Sequence, residues 1–329
     1  MENSELHRLA NLKSFRTPIQ KLFSLDDSNS IYIKREDLLP FSFGGNKVRI
    51  AYHYICDMLR KNCNVMIAYG SKSSNLCRVI ANMCKCIGIR CIVVIGKEDE
   101  FESQSMNGRI LNFLETELYE CKKSKVSETL EYLINSIKAK GDRPYYIYGN
   151  SRGQGNEGIP IQAYVEVYEE IRYFEEINNL SFDCIFLASG TGTTQAGLIV
   201  ANLSSANQKK IIGISIARTS EHGAGKIRES IKTYNPLIQD NEIEEHLELD
   251  DSYICGGYGR YISEIEMVVK DMMVFNGIPL DLTYTGKAFW GMTNYIKYHG
   301  LENKTILFIH TGGTPLFFDY IANLENQKE

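Results

Sequence analysis

The chain alternates short apolar runs with segments whose apolar residues recur at helical spacing. The apolar runs predict strands at 31–34, 64–70, 91–96, 144–149, 184–190, 211–217 and 306–313. Helical spacing predicts helices at 46–61, 74–88, 105–118, 126–139, 162–177, 194–203 and 224–233. Apolar strands that alternate with helices are typical of α/β proteins, in which helices cover both faces of parallel sheets.

Composition narrows the class of protein. The 329 residues are enough for about two domains, and 43% of them are hydrophobic, which excludes a disordered chain. A net charge of −5 argues against nucleic acid as a partner, since nucleic-acid binders carry a basic face. No run of about 18 apolar residues is present, so we expect no membrane partner.

The nine cysteines and six histidines give no sign of a metal site or a disulfide framework. No Cys-x-x-Cys pair and no His-x-x-x-His pair occurs. We therefore expect reduced thiols, a cytoplasmic protein and no bound metal.

Three of the predicted strands end directly in loops of small residues. These loops are YGSKSSN (69–75), ASGTGTT (188–194) and IHTGGTP (309–315). Ligands of parallel α/β sheets bind beyond the carboxyl ends of the strands, where loops enter helices. We therefore expect the chemistry of the protein in these loops.

The segment 189–194 has the composition of a phosphate-binding loop. Its small residues allow a tight turn that exposes peptide N–H groups at the start of an apolar helix. Gln195 stands where a dinucleotide fingerprint needs glycine, and the Gly-Lys-Ser/Thr of a P-loop is absent. The loop therefore indicates a phosphorylated cofactor or substrate, and the alternative is a strand-to-helix turn without a ligand.

Lys47 follows Gly44, Gly45 and Asn46 at the start of a predicted helix. Burial can lower the pKa of such a lysine and give a nucleophilic free amine, which makes it a candidate covalent anchor. The alternative is a solvated helix lysine.

The order of these motifs resembles that of fold-type II enzymes that use pyridoxal 5′-phosphate. More narrowly, the chain resembles the 1-aminocyclopropane-1-carboxylate deaminase / D-cysteine desulfhydrase family. KREDL (34–38) and GGNK (44–47) carry the resemblance to fold type II. The segments that match the narrower family are GGNKVR (44–49), SSN followed by CR (73–78), GTGTTQAGL (190–198), GGYG (256–259), YTGKAFWGM (284–292) and FIHTGGTPLF (308–317). They run in family order, which makes the set far more specific than any one of them.

The resemblance implies an α/β fold of the tryptophan synthase β type, with two domains and open, twisted, mostly parallel sheets. It places a small domain at residues 48–150 and a large domain that binds pyridoxal phosphate at 1–47 plus 151–329. It also implies a homodimer.

The resemblance also implies roles for individual residues. Lys47 would form the Schiff base with the cofactor and later carry a proton. The other expected cofactor-binding residues are Asn75, Gly190, Thr191, Gly192, Thr193, Thr194 and Thr311. The expected substrate-binding residues are Ser74, Asn75, Leu76 and Thr285, and the catalytic residues are Lys47, Ser74, Tyr258 and Tyr284.

Four positions depart from the common family pattern. Thr193 stands where the family usually has glycine, Ser73 where it often has glutamine, and Leu76 where it has histidine or glutamine. Deaminases that open the cyclopropane ring typically have Tyr-Glu-Gly-Lys where this chain has Tyr284-Thr285-Gly286-Lys287. The threonine resembles desulfhydrase-like members and favours elimination over ring opening.

The resemblance therefore implies α,β-elimination on a small amino acid with a β leaving group, such as D-cysteine, to give pyruvate and ammonia. One alternative is a β-replacement synthase that makes a non-standard amino acid, and another is 1-aminocyclopropane-1-carboxylate deaminase. The third alternative is a carrier or sensor that binds pyridoxal phosphate without turnover.

Overall fold

The computed structural model describes residues 9–13, 15–23, 28–97 and 105–326. The chain divides into two compact units. Unit 1 comprises Met1–Phe15, Pro40–Ser42 and Lys47–Pro160, and unit 2 comprises Arg16–Leu39, Phe43–Asn46 and Ile161–Glu329. The division into separately folding domains at residues 48–150 and 1–47 plus 151–329 stays a prediction.

The strands are β1 (Ile19–Lys21), β2 (Ser30–Arg35), β3 (Val65–Gly70), β4 (Arg90–Lys97), β5 (Glu117–Lys122), β6 (Pro144–Tyr146), β7 (Cys184–Ser189), β8 (Lys210–Ser215), β9 (Leu247–Asp250) and β10 (Thr305–His310). The α-helices are α1 (Asn46–Arg60), α2 (Asn75–Cys86), α3 (Met106–Phe113), α4 (Val126–Ala139), α5 (Gln162–Asn178), α6 (Thr193–Leu203), α7 (Ser220–Tyr234), α8 (Asp240–His246), α9 (Ser263–Asn276), α10 (Thr285–Tyr298) and α11 (Thr314–Asn326).

Unit 2 contains a six-stranded sheet in the order β1-β2-β10-β7-β8-β9. All neighbouring strands are parallel except β1 and β2. Every residue of β7 is buried, which explains its continuous apolar run. Because β7 and β10 are parallel neighbours, the loops after Ser189 and His310 leave the same edge of the sheet.

The hydrophobic core of unit 2 joins this sheet to α9 and α10. The rings of Phe289 on α10 and Phe308 on β10 meet edge to face, with centroids 5.0 Å apart. Ile214 from β8 and Val269 from α9 belong to the same buried cluster. Burial of these side chains fixes the position at which α10 begins, and the residues around that helix start belong to the candidate site.

Unit 1 contains a four-stranded parallel sheet in the order β5-β4-β3-β6. Residues Ile92–Ile95 of the inner strand β4 are fully buried. Strand β3 ends at Gly70, and the loop after it leads into α2. The expected α/β class with mostly parallel sheets is confirmed.

The helix predicted at 105–118 is too long. Helix α3 ends at Phe113, Glu115 has a φ of 53°, and Glu117–Lys122 form strand β5. This strand lies at the edge of its sheet and is only partly buried. Polar side chains at that half-exposed edge obscure the strand pattern, and helical periodicity was the wrong interpretation.

Two expectations from composition concern membranes and disulfides. Over the described residues, no helix combines the length and the apolar character that a bilayer span requires. All nine cysteines fall within the described ranges, and all nine are free thiols.

Candidate functional site

The loop of residues 190–194 joins β7 to the start of α6. Gly192 has a φ of 87°, and a Cβ added to it would lie 2.5 Å from Ile227 Cγ1, so only glycine fits. The first turn of α6 has no acidic residue and no side-chain cap. The hydroxyls of Thr191 and Thr193 lie 3.2 Å apart beside these peptide N–H groups. Such an end of a helix favours an anion and fits a terminal phosphate group.

Asn46 fixes the backbone directly before Lys47. Its side-chain amide donates to Thr194 Oγ1 at 2.9 Å, and its backbone N–H donates to the carbonyl of Thr311 at 2.9 Å. A Cβ on Gly312 would lie 2.5 Å from the Cα of Gly45, so the two chain segments touch through their backbones. Gly45 and Asn46 are therefore held against the loops that follow β7 and β10.

Lys47 is the second residue of α1 and is partly buried. Burial lowers the pKa of Lys47 from 10.5 to about 8. A shift of this size raises the fraction of free amine at neutral pH by roughly 300-fold. A free amine on a fixed backbone is what covalent attachment to an aldehyde requires.

The side chain of Asn75 in unit 1 is oriented by two neighbours. Its Oδ1 accepts from Asn107 Nδ2 at 3.0 Å and from Arg78 Nη2 at 3.4 Å. Asn107 Nδ2 also donates to the carbonyl of Ser73 at 2.7 Å. Because donors engage its oxygen, Asn75 presents its amide nitrogen as a donor to a ligand.

Ser74 and Leu76 lie on either side of Asn75, at the start of α2. Ser74 caps this helix, and its Oγ accepts from the N–H of Cys77 at 3.2 Å. Leu76 is buried, and the first turn of α2 carries no acidic residue. This helix start is electrostatically suited to a carboxylate.

Tyr258 and Tyr284 form a pair in unit 2. Their hydroxyl oxygens lie 2.7 Å apart and their rings meet edge to face. A Cβ placed on Gly190 would be 4.0 Å from Tyr284 Cε1, so this ring flanks the loop of residues 190–194. Two hydroxyls in contact can pass a proton from one to the other, and Tyr258 is 45% exposed.

His310 is the last residue of strand β10, and Thr311 follows it. The Nε2 of His310 donates to the carbonyl of Pro279 at 2.8 Å, and the N–H of Gly312 donates to its Nδ1 at 3.2 Å. These two hydrogen bonds make His310 a support of the backbone. Thr311 is 8% exposed, and its carbonyl accepts the bond from Asn46 described above.

Thr285 is fully buried and bonded to Asp281. Its hydroxyl donates to Asp281 Oδ2 at 2.8 Å and accepts from the N–H of Asp281 at 2.9 Å. The expected contact between Thr285 and a substrate stays a prediction. It would require the Thr285 hydroxyl to break its hydrogen bond with the Asp281 carboxylate.

Asp281 is a functional residue that sequence reasoning missed. Its carboxylate accepts N–H bonds from Thr283, Tyr284 and Thr285, and so it holds the backbone of Tyr284 at the start of α10. Burial raises its pKa, and these hydrogen bonds act in the opposite direction. An aspartate four residues before the first residue of a helix was the available signal. Asn107 was missed as well, because its partner Asn75 lies 32 residues away in sequence.

The candidate residues thus form two sets. In unit 2, Asn46 ties the loop of residues 190–194 to Thr311, and Tyr284 flanks that loop and contacts Tyr258. In unit 1, Ser74, Asn75 and Leu76 share the start of α2, and Lys47 lies in the first turn of α1.

Comparison with known proteins shows the family to which the chain belongs. Residues 11–312 match the model of the family described as pyridoxal-phosphate dependent enzymes. The chain belongs to this family.

Two curated relatives and one solved structure are similar over nearly the whole chain. A putative 1-aminocyclopropane-1-carboxylate deaminase of Pyrococcus horikoshii is 33% identical over 310 residues, which cover 93% of this chain and 92% of the relative. A D-cysteine desulfhydrase of Yersinia pestis is 30% identical over 313 residues, or 92% and 93% of the two chains. The crystal structure of a homologue of ACC deaminase has a TM-score of 0.80 at 29% identity and covers 99% of each chain.

The residues present fit the cofactor of the family. The helix start after Gly192 suits its phosphate, and Lys47 has an amine whose pKa burial lowers to about 8. Asn75 offers an oriented amide donor. The prediction of an enzyme that depends on pyridoxal phosphate is confirmed by the family match, and the relatives carry both names that the resemblance implied.

Proposed function

We propose that this enzyme catalyses α,β-elimination on a small amino acid with a β leaving group, D-cysteine above all. D-cysteine and water would give pyruvate, ammonia and hydrogen sulfide, the protonated leaving group. The observation that carries the proposal is the hydroxyl pair of Tyr258 and Tyr284, 2.7 Å apart beside the glycine–threonine loop. A leaving thiolate needs a proton donor, and this pair supplies one. The 30% identity to a D-cysteine desulfhydrase over 92% of this chain supports the same substrate.

The residues that would hold pyridoxal phosphate are those that the resemblance implies. Residues Gly190–Thr194 would bind its phosphate, Lys47 would attach it covalently, Asn75 would donate to its ring oxygen, and Thr311 would face its pyridine nitrogen. The cofactor supplies the electron sink that makes the α-proton of a bound amino acid acidic.

The chain's own groups then carry the protons. The amine of Lys47 would take the α-proton, since burial lowers its pKa to about 8 and leaves roughly a tenth of it unprotonated at neutral pH. Tyr284 Oη, hydrogen-bonded to Tyr258 Oη, would protonate the departing β substituent.

The start of α2 would hold the substrate carboxylate. The donors there are the Ser74 hydroxyl and the N–H groups of Asn75 and Leu76, and the helix dipole favours the negative charge. Leu76 adds only an apolar side chain, so recognition of the carboxylate would rest on the Ser74 hydroxyl and the two backbone N–H groups. The β substituent then remains to distinguish one amino acid from another.

The decisive assay incubates the purified holoenzyme with D-cysteine, L-cysteine, O-acetylserine and 1-aminocyclopropane-1-carboxylate. Pyruvate from D-cysteine supports the proposal. Formation of 2-oxobutyrate from the cyclopropane substrate would instead assign the deaminase reaction, which the Pyrococcus horikoshii relative favours by its name.

Adding thiol or amine acceptors to the same mixtures tests β-replacement. A new amino acid at the expense of pyruvate would make the protein a synthase. A protein that turned over none of these substrates would contradict the proposal and leave a carrier or sensor of pyridoxal phosphate.

We also propose a cytoplasmic homodimer. Helix α9 exposes Met267, Met273, Val274 and Phe275, and α11 exposes Phe318. Apolar side chains of this size on one unit are what a subunit interface covers. Analytical ultracentrifugation should give twice the chain mass of 37.4 kDa, and a species of single-chain mass would contradict the homodimer.

A further inference from the structure

Lys287 on α10 is fully buried and points its ammonium at three backbone carbonyls. Its Nζ donates to Ile216 at 3.0 Å, to Ile254 at 2.9 Å and to Gly257 at 3.0 Å. Ile216 directly follows strand β8, and the other two carbonyls belong to the loop between β9 and α9. The three hydrogens of the ammonium group therefore have one carbonyl partner each.

The charge of Lys287 is held by dipoles rather than by a carboxylate. Among the described residues, no aspartate or glutamate oxygen is recorded within the 4.0 Å of an ion pair with its Nζ. Burial lowers the pKa of Lys287, while the charges of Cys255 and Asp281 act on this pKa in the opposite direction. A cation satisfied only by carbonyl oxygens has the coordination of a bound monovalent ion.

The loop that supplies two of the carbonyls has an unusual backbone. Cys255, Gly256 and Gly257 have φ values of 51°, 83° and 125°. This conformation turns the carbonyls of Ile254 and Gly257 towards the same point. Without a cation between them, these converging carbonyl dipoles would repel one another.

This arrangement connects Lys287 to both active-site tyrosines. Tyr258 directly follows Gly257, whose carbonyl accepts from Lys287. Tyr284 lies three residues before Lys287 at the start of the same helix. The ammonium thus ties the loop of Tyr258 to the helix of Tyr284, and the two hydroxyls meet at 2.7 Å.

We propose that Lys287 is a tethered monovalent cation that positions Tyr258 against Tyr284. The carbonyls of Ile216, Ile254 and Gly257 form a cation site that accepts a free ammonium or alkylammonium ion once the tether is removed. The effect on turnover rests on the proposed function, and the ion site itself does not.

The test is rescue of the Lys287→Ala variant by the missing part of the side chain. Replacement by alanine removes three methylene groups and the ammonium, which correspond to n-propylammonium. The thermal midpoint of Lys287→Ala should rise in n-propylammonium or ammonium chloride relative to tetramethylammonium chloride, which is too large for the site. Wild type and Lys270→Ala, which changes an exposed lysine of α9, should show no such difference.

Turnover gives the second readout. The kcat of Lys287→Ala for D-cysteine should fall on the order of tenfold to a hundredfold, with a smaller change in KM, and should recover with n-propylammonium. An equal midpoint of Lys287→Ala in all three salts would overturn the proposal. Ion-specific stabilisation without activity in any variant or in wild type would keep the ion site and refute the proposed function.

Lys287→Met covers the case in which the alanine variant does not fold. Methionine retains most of the apolar stem and lacks the charge, so the core around it stays filled. Hydrogen exchange of peptides from 253–260 should then be faster than in wild type, with exchange in β7 unchanged. Unchanged exchange in 253–260 would contradict the positioning role.

Discussion

At the scale of single residues, burial changes the chemistry of Lys47 most directly. Its pKa falls from 10.5 to about 8 because the charged form loses hydration. The direction of this pKa shift follows from the charge of the protonated form. Desolvation disfavours the ammonium, so the amine is free at a lower pH. The structure therefore predicts a reactive lysine before any cofactor is added.

In the cofactor-free protein, acetic anhydride should modify Lys47 at a rate that rises with pH and reaches half of its plateau near pH 8. Only the free amine reacts, so the rate follows the deprotonated fraction. Mass spectrometry of the peptide that contains Lys47 measures it, with a model lysine peptide of pKa about 10.4 as the reference. A midpoint close to that of the reference peptide would contradict the burial argument.

The second prediction at this scale concerns the tyrosine pair. Tyr284→Phe removes one of the two hydroxyls that meet at 2.7 Å, and the leaving group then lacks its proton donor. We expect kcat with D-cysteine to fall on the order of 100-fold with a smaller change in KM. Tyr261→Phe changes an exposed tyrosine three residues after Tyr258 and should leave kcat unchanged. Wild-type turnover by Tyr284→Phe would remove this residue from the proposed mechanism.

At the scale of elements, the start of α6 depends on one glycine. Gly192→Ala puts a Cβ 2.5 Å from Ile227 Cγ1 at a φ of 87°, so the loop must move. We expect a loss of about 1–3 kcal/mol in the free energy of unfolding and weaker retention of pyridoxal phosphate. Urea unfolding and cofactor titration measure the two effects.

Gly225→Ala is the matched control for this change. Gly225 lies in helix α7, and a Cβ there would meet no atom within 4 Å. Alanine in a helix should stabilise by up to about 1 kcal/mol relative to glycine. If both variants behaved alike, the close packing of Gly192 would not be the cause.

The sequence predicted those elements whose burial pattern is simple. The helix at 126–139 has the predicted bounds, because its apolar residues Val126, Leu130, Leu133 and Ile137 repeat once per turn and are all buried. The strand β5 was missed because Glu117–Lys122 lie at a sheet edge, where polar side chains obscure the strand pattern. Helices α9, α10 and α11 were not predicted either, and their apolar residues face a core assembled from distant strands.

The candidate site was predicted by motif order, whereas its supporting contacts were not predictable. The glycine-rich loops and Lys47 are local sequence signals. An apolar strand before a loop indicates that the loop lies at the carboxyl end of a sheet, where ligands bind. The bond from Asn46 to Thr194 spans 148 residues, and the bond from Lys287 to Ile216 spans 71. Contacts of such separation depend on the sheet order, which spacing along one chain does not contain.

At the scale of the whole molecule, cofactor binding should stabilise the folded chain. A ligand that binds only the native state adds about 2.7 kcal/mol at a concentration of 100 times its Kd. Removal of pyridoxal phosphate should therefore lower the thermal midpoint, and its addition should restore it. Pyridoxal without the phosphate should restore less, because it leaves the glycine–threonine loop without a ligand. Equal stabilisation by the two compounds would contradict the assignment of this loop.

The donors of the glycine–threonine loop are peptide groups, and this has a consequence for evolution. Side chains at 191 and 193, proline excepted, can be exchanged without removing any main-chain donor, so the threonine at 193 costs the loop none of its N–H groups. The backbone turn at Gly192 has no such freedom. Descendants of this gene can therefore vary the side chains at 191 and 193 while they keep the same backbone donors for an anion.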